Sequence, residues 1–242
     1  MKFFTTLFAV IALMNGFAFA AQECDVPASL LSSENEILRV AAEVKNKHRL
    51  DIAVVGTGSS ALPGPDGQNF AYPARLQEAL RQVLPGTEIK VVSQIQARQT
   101  TADMAAGMKK ILADDKPALV IWQAGTFDAV SGIEPDEFST SLIAGVDAII
   151  AAGADVVLVN MQYSPRTEAL LNVSSYADVM RWVAQEHGAL LFDRLAIMRY
   201  WNDQGIFDLY AATKKSDMAR RVHDCIGRAL ASQIVEAAHL KP

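Results

Sequence analysis

Asp51-Ile52-Ala53-Val54-Val55-Gly56-Thr57-Gly58-Ser59-Ser60-Ala61 is the stretch on which the fold turns: an apolar run of strand length enters a tight turn of small residues and then Leu62-Pro63-Gly64. Four apolar residues in succession, without alternation, fit a strand covered on both faces. A hydroxyl at a carboxyl strand end must face a crevice unobstructed, and Gly and Ser are the neighbours that leave room for it. The same residues also serve as plain turn punctuation, so the turn by itself does not define a site.

Working outward, apolar runs alternate with amphipathic stretches. Strands are predicted near 51–56, 88–93, 117–124, 154–161 and 189–192, and helices near 29–46, 73–84, 100–113, 135–152, 174–187 and 216–237. Short apolar strands separated by helices imply a parallel sheet, because a parallel crossover needs a helix to return the chain. The expected architecture is α/β, a three-layer α/β/α sandwich around a parallel five-stranded sheet, and in such sheets ligands bind at the carboxyl strand ends. Ser60, Arg98, Phe127, Asp128 and Gln162 all fall just past those ends. No internal repeat, low-complexity tract or Gly/Ser linker interrupts the chain, and Pro63-Gly64-Pro65-Asp66-Gly67 is a loop long enough to wall one side of a crevice.

The chain has 242 residues, 51% hydrophobic and 20% charged, which suits one sizeable core. Met1-Lys2, an apolar run from Phe3 to Met14, and a close in Ala18-Phe19-Ala20 read as a secretory signal peptide over residues 1–20, with residues 21–242 as a single domain, periplasmic or secreted. A retained anchor is the alternative, disfavoured because the run is short for a bilayer. Cleavage removes Lys2 and leaves 21 basic against 27 acidic side chains. That negative balance argues against a nucleic-acid or anionic-membrane partner. Two cysteines, Cys24 and Cys225, are expected to pair in an oxidising compartment; the alternative is an exposed Cys24 and a buried free Cys225. Two thiols so distant in sequence do not suggest a metal site, and no cofactor is expected.

Gly58-Ser59-Ser60-Ala61, Ala71-Tyr72-Pro73-Ala74-Arg75-Leu76, Leu119-Val120-Ile121-Trp122-Gln123-Ala124-Gly125-Thr126-Phe127-Asp128 and Val157-Leu158-Val159-Asn160-Met161-Gln162-Tyr163-Ser164-Pro165 together resemble the blocks of the SGNH/GDSL hydrolases, in the branch whose first block reads Gly-Ser-Ser. The resemblance implies a flavodoxin-like SGNH-hydrolase fold with strand order 2-1-3-4-5, and it places Ser60 at the nucleophile position. It also implies an oxyanion hole from the serine amide, a Gly in the second block and an Asn in the third, and a base from a late Asp-x-x-His block. Here Phe127 stands at the Asn, Arg98 nearest the Gly, Asp217 at the His and Lys214 at the Asp. An aromatic ring cannot donate to an oxyanion. Losing one oxyanion donor costs roughly a hundred- to a thousandfold in turnover, and losing the triad histidine roughly a millionfold.

His223, in Ala219-Arg220-Arg221-Val222-His223-Asp224-Cys225, is the candidate displaced base, weighed against a plain helix-packing or surface histidine on the flank of a core face formed by Met218, Val222, Cys225, Ile226, Ala229 and Leu230. His48, His187 and His239 fall in helix-end or tail contexts. Gly58, Ser59, Arg98, Phe127, Asp128 and Gln162 are the expected binding residues, with Arg98 suited to a carboxylate or phosphate, while Trp122 reads as core. Two functions follow. One is a catalytically impaired relative of ester hydrolases and O-acyl transferases of envelope saccharides, which binds a small molecule, a saccharide or a protein partner in the old crevice. The other is an active serine esterase or acyl transferase using Ser60 with His223 as a non-standard base.

Overall fold

The computed structural model describes residues 24–210 and 216–240. The leader assigned to residues 1–20 and the Lys214 position lie outside them. Among the described residues the elements run α1 Leu38–Lys47, β1 Arg49–Gly56, α2 Gly67–Phe70, α3 Tyr72–Val83, β2 Glu88–Ile95, α4 Thr101–Asp115, β3 Leu119–Gln123, α5 Thr126–Ser131, α6 Pro135–Ala151, β4 Asp155–Val159, α7 Pro165–Leu170, α8 Val173–Glu186, β5 Leu190–Phe192, α9 Arg194–Asp203 and α10 Ser216–Ala237. All neighbouring strands pair in parallel, in the order β2-β1-β3-β4-β5. Helices α4, α6 and α8 pack side by side, as do α3 and α10, and the sheet lies between helical layers.

Local chemistry accounts for most of these boundaries. β3 is buried at every position, as its apolar run Leu119–Trp122 requires, and its last residue, Gln123, is buried with it. Helix α4 starts in a capping box, with the Thr100 side chain accepting from the Asp103 amide and Asp103 accepting in return from the Thr100 amide. Proline at the first turn of α3, α6 and α7 occupies positions where its missing N–H is harmless. Two close approaches depend on glycine. A Cβ at Gly145 of α6 would lie 2.2 Å from the buried Trp122 ring, and one at Gly227 of α10 would lie 2.7 Å from the Leu76 amide nitrogen of α3.

Two expectations need correction. The helix predicted over 29–46 is a short 3-10 turn at Ala28–Leu30 followed by α1 from Leu38. The segment between is held by tertiary contacts: the Asn35 amide donates to the carbonyls of Ala184 and Ala189, and Gln233 donates to the Leu31 carbonyl. Such long-range polar contacts outweigh a weak local preference for helix. Conversely α9, not expected from the apolar pattern, begins where Asp193 caps it by accepting from the Ala196 amide.

Cys24 and Cys225 form a disulfide that fastens the amino-terminal segment to α10. The adjoining Asp25 carbonyl accepts from the Trp201 indole of α9. With a sequence separation of 201 between the two cysteines, chain-entropy reasoning assigns the cross-link up to about 5 kcal/mol, with native strain able to reduce it. Urea titration of oxidised protein and of the Cys24→Ala/Cys225→Ala variant should show a loss of roughly 2–5 kcal/mol; equal midpoints, or two alkylatable thiols in unreduced protein, would contradict the assignment.

Candidate functional site

A cleft of about 530 Å³ opens at the carboxyl ends of the strands. Its walls come from the turn after β1 (Thr57, Gly58, Ser59), the loop after β2 (Ala97, Arg98), the start of α5 (Thr126, Phe127), the loop after β4 (Gln162, Tyr163, Ser164), Arg194 at the start of α9, and one face of α10 (Val222, His223, Ile226). Gly58, Ser59, Arg98, Phe127, Gln162 and His223 thus line one cleft. Asp128 is not among the lining residues. It is buried and accepts from the Thr101 amide at 2.8 Å and the Thr101 hydroxyl at 2.9 Å, which anchors the start of α4.

The β1 turn is organised by the buried Gln123 side chain at the end of β3. Its Oε1 lies 3.1 Å from the Thr57 amide nitrogen and within 3.0–3.2 Å of the hydroxyls of Thr57, Ser59 and Ser60. The amide N–H can only donate, so the atom facing it must be the carboxamide oxygen. An oxygen with two lone pairs cannot serve four donors at full strength, and Ser60 has an alternative in the Tyr72 hydroxyl at 3.2 Å. Gly56 makes this approach feasible, since a Cβ there would fall 2.7 Å from Ser60 Oγ.

The two serines therefore differ. Ser60 is fully buried, turned toward Tyr72 and Gln123, and lies beneath the cleft rather than in its lining. Ser59 is half-buried and lines the cleft. The 3-10 turn at Gly58–Ser60 sends successive side chains in different directions, which a linear motif cannot reveal.

Arg194 is the site residue that sequence reasoning missed. It is 1% exposed, and it donates from Nε to the Asn160 carbonyl at 3.1 Å, from Nη1 to the Ser59 carbonyl at 3.2 Å and from Nη2 to Ser59 Oγ at 3.3 Å. Burial pushes its guanidinium down to about 10. Asn160 holds the arginine's surroundings in place: its side-chain Nδ2 donates to Asp193 at 2.7 Å and its side-chain Oδ1 accepts from the Leu195 amide at 2.9 Å. The available signal was position. Arg194 lies two residues past the end of β5, Leu190-Leu191-Phe192, the same strand-end logic that singled out Ser60 and Arg98.

His223 was expected on the flank of α10, but it is only 7% exposed and forms part of the cleft wall. Its Nδ1 accepts from the Tyr72 backbone N–H at 3.0 Å, so the neutral ring carries its proton on Nε2. Desolvation, reinforced by the nearby Arg194 charge, pushes its pKa down to about 3. A triad base needs the other tautomer, with Nδ1–H donating to an orienting group and Nε2 free to take the serine proton. Among the described residues His223 makes no hydrogen bond to Ser59 or Ser60. Asp217, at the position the resemblance gives to the base, lies in the first turn of α10. His187 and His239 pair with Asp147 and Glu36, and His48 ends α1 in a left-handed conformation.

The non-GDSL lipase-like family pattern matches residues 23–240, nearly the whole chain. The chain belongs to this family. It is 32% identical over 114 residues to the esterase TesA of Pseudomonas aeruginosa, a match covering 47% of this chain and 55% of that protein, so the chain spans about half the length of this curated relative. Among solved structures, TesA superposes with a TM-score of 0.58 at 22% identity, covering 75% of this chain and 99% of TesA. A catalytic mutant of Axe2, an acetylxylan esterase from Geobacillus stearothermophilus, gives 0.62 at 18% identity, covering 76% and 94%. These structural likenesses establish a shared fold. In this family setting two positions stand out. Arg98 has a left-handed backbone, φ 63°, the region glycine enters most cheaply, and Phe127 presents an aromatic ring to the cleft.

The His223 environment sets a pH dependence. Because its folded pKa is depressed, the unfolded chain binds the extra proton first as pH falls below about 6.5, the ordinary histidine value. Its contribution to stability is full above that pH and is lost as pH falls toward about 3. Melting temperatures from pH 4 to 7.5 should therefore rise more steeply for the wild type than for His223→Gln; parallel profiles would contradict a histidine buried in its neutral form.

Proposed function

We propose that this chain is an exported, ligand-binding member of its hydrolase family, in which the ancestral crevice holds a small acyl- or sugar-bearing molecule without hydrolysing it. The observation that carries the reading is the Tyr72 N–H to His223 Nδ1 bond, because it commits the one imidazole among the described residues of the cleft wall to the tautomer that cannot accept a serine proton at Nε2. The serines offer no substitute. Ser59 lies against the Gln123 carboxamide oxygen and the Arg194 guanidinium, neither of which can remove its proton. Ser60 is sealed beneath the cleft. An unactivated hydroxyl is a poor nucleophile at neutral pH.

The remaining walls favour binding. Phe127, Tyr163, Met198, Leu209, Val222 and Ile226 give the cleft an apolar interior with a few convergent polar groups, the composition of a small-molecule site. Export is supported by the leader-like residues 1–20 and by the Cys24–Cys225 disulfide, a bond typical of oxidising compartments. No helix among the described residues is long and apolar enough to cross a membrane.

The purified protein should resist a fluorophosphonate serine probe and hydrolyse activated acetyl esters no faster than its Ser59→Ala and Ser60→Ala variants. Rapid labelling of one serine, with turnover lost on its replacement by Ala, would establish the competing reading of an active esterase or acyl transferase. Loss of that turnover in His223→Ala would then identify the base.

A further inference from the structure

The cleft carries a charge imbalance that the fold does not resolve. Among the described residues its lining includes two guanidinium groups, Arg194 and Arg98, and no aspartate or glutamate, in a chain whose formal net charge is −5. His223 adds no positive charge at neutral pH and presents an imidazole N–H rather than an acceptor. Among the described residues neither arginine forms an ion pair, whereas Arg181 and Arg75 find carboxylates.

For Arg98, exposed at the cleft rim, an unpaired charge is ordinary. For Arg194 it is not. Desolvating a guanidinium without a counter-charge is expensive, and buried charges are normally paired. Here the compensation consists of two backbone carbonyls and one serine hydroxyl, all neutral. A guanidinium has five N–H donors, so these three bonds leave two without a partner among the described residues. The side chain is held there rather than swinging free, because Asn160 and Ser59 grip it from two sides. A fixed, desolvated cation with spare donors in the wall of a largely apolar cavity is the complement of an anionic head group on an apolar body.

We propose that the cleft binds a single-headed organic anion, a carboxylate or phosphate-type group carried on an apolar body, with Arg194 as its anchor and Arg98 as a second cation at the rim. This rests on reading the cleft as a binding site and adds the chemistry of its ligand. The head group receives the unused Arg194 N–H donors, and the apolar body lies against Phe127, Met198, Val222 and Ile226. A neutral alcohol of equal length gains the apolar contacts without the charge-assisted bonds, each of which is worth about a 10- to 100-fold difference in affinity.

The test is calorimetric titration of the oxidised protein with octanoate, octylphosphonate and octanol. At least one anion should bind about 10-fold or more tightly than octanol, and the stronger of the two identifies the head group. Arg194→Gln should erase the preference. Should that variant not fold, Arg98→Gln, at an exposed position, should weaken the anion and leave octanol unchanged. Equal affinities for anion and alcohol, or no binding of any probe, would overturn the proposal. None of the three probes contains a cleavable ester, so this result is independent of serine labelling: a labelled, active protein that still prefers the anion would remove the non-hydrolytic reading and leave the anion site standing.

Discussion

The carboxamide of Gln123 is the constraint on which the site depends. Placed by β3 in the middle of the sheet, it receives the Thr57 amide at the exit of β1 and thereby fixes the turn that carries both serines. Gly56 leaves space for that bond, and the 3-10 turn that follows directs Ser59 into the cleft and Ser60 beneath it. Arg194 closes the arrangement from the other side by gripping the Ser59 carbonyl. Three strand ends, β1, β3 and β5, are thus joined through polar groups in a region where unsatisfied donors would be costly.

That network uses the hydroxyls as structural groups. In a serine hydrolase the nucleophile's proton faces a base with a vacant lone pair; here the nearby acceptors are a carboxamide oxygen and a tyrosine hydroxyl. The histidine in the wall spends its own lone pair on the backbone of α3. A scaffold shared with esterases does not by itself fix the chemistry of its crevice, since function resides in the site and not in the fold.

The strands and their parallel arrangement were legible in the sequence because each is a short apolar run bounded by helical stretches, a pattern that burial on both faces imposes. Strand order was available only through family resemblance, as nothing in an apolar run specifies its neighbour. The disulfide partners were legible because the chain has two cysteines. What escaped was orientation. Ser59 and Ser60 are identical in a linear motif, and Asp128 looks like a crevice residue until its carboxylate is seen serving Thr101. Arg194 escaped for a different reason: a cation after an apolar strand reads as solvated, and only the fold shows that α9 and Asn160 draw it into the interior.

The proposed anion site rests on Arg194, a buried cation without an ion pair among the described residues, and nitrogen-15 NMR of its guanidinium tests it most directly. On addition of octanoate or octylphosphonate, the Arg194 Nη–H signals should shift downfield and exchange more slowly with water, as charge-assisted bonds form at donors now unused. Signals that stay unmoved at saturating anion, in a protein whose serine reacts with a fluorophosphonate, would contradict it and return the cleft to the esterases.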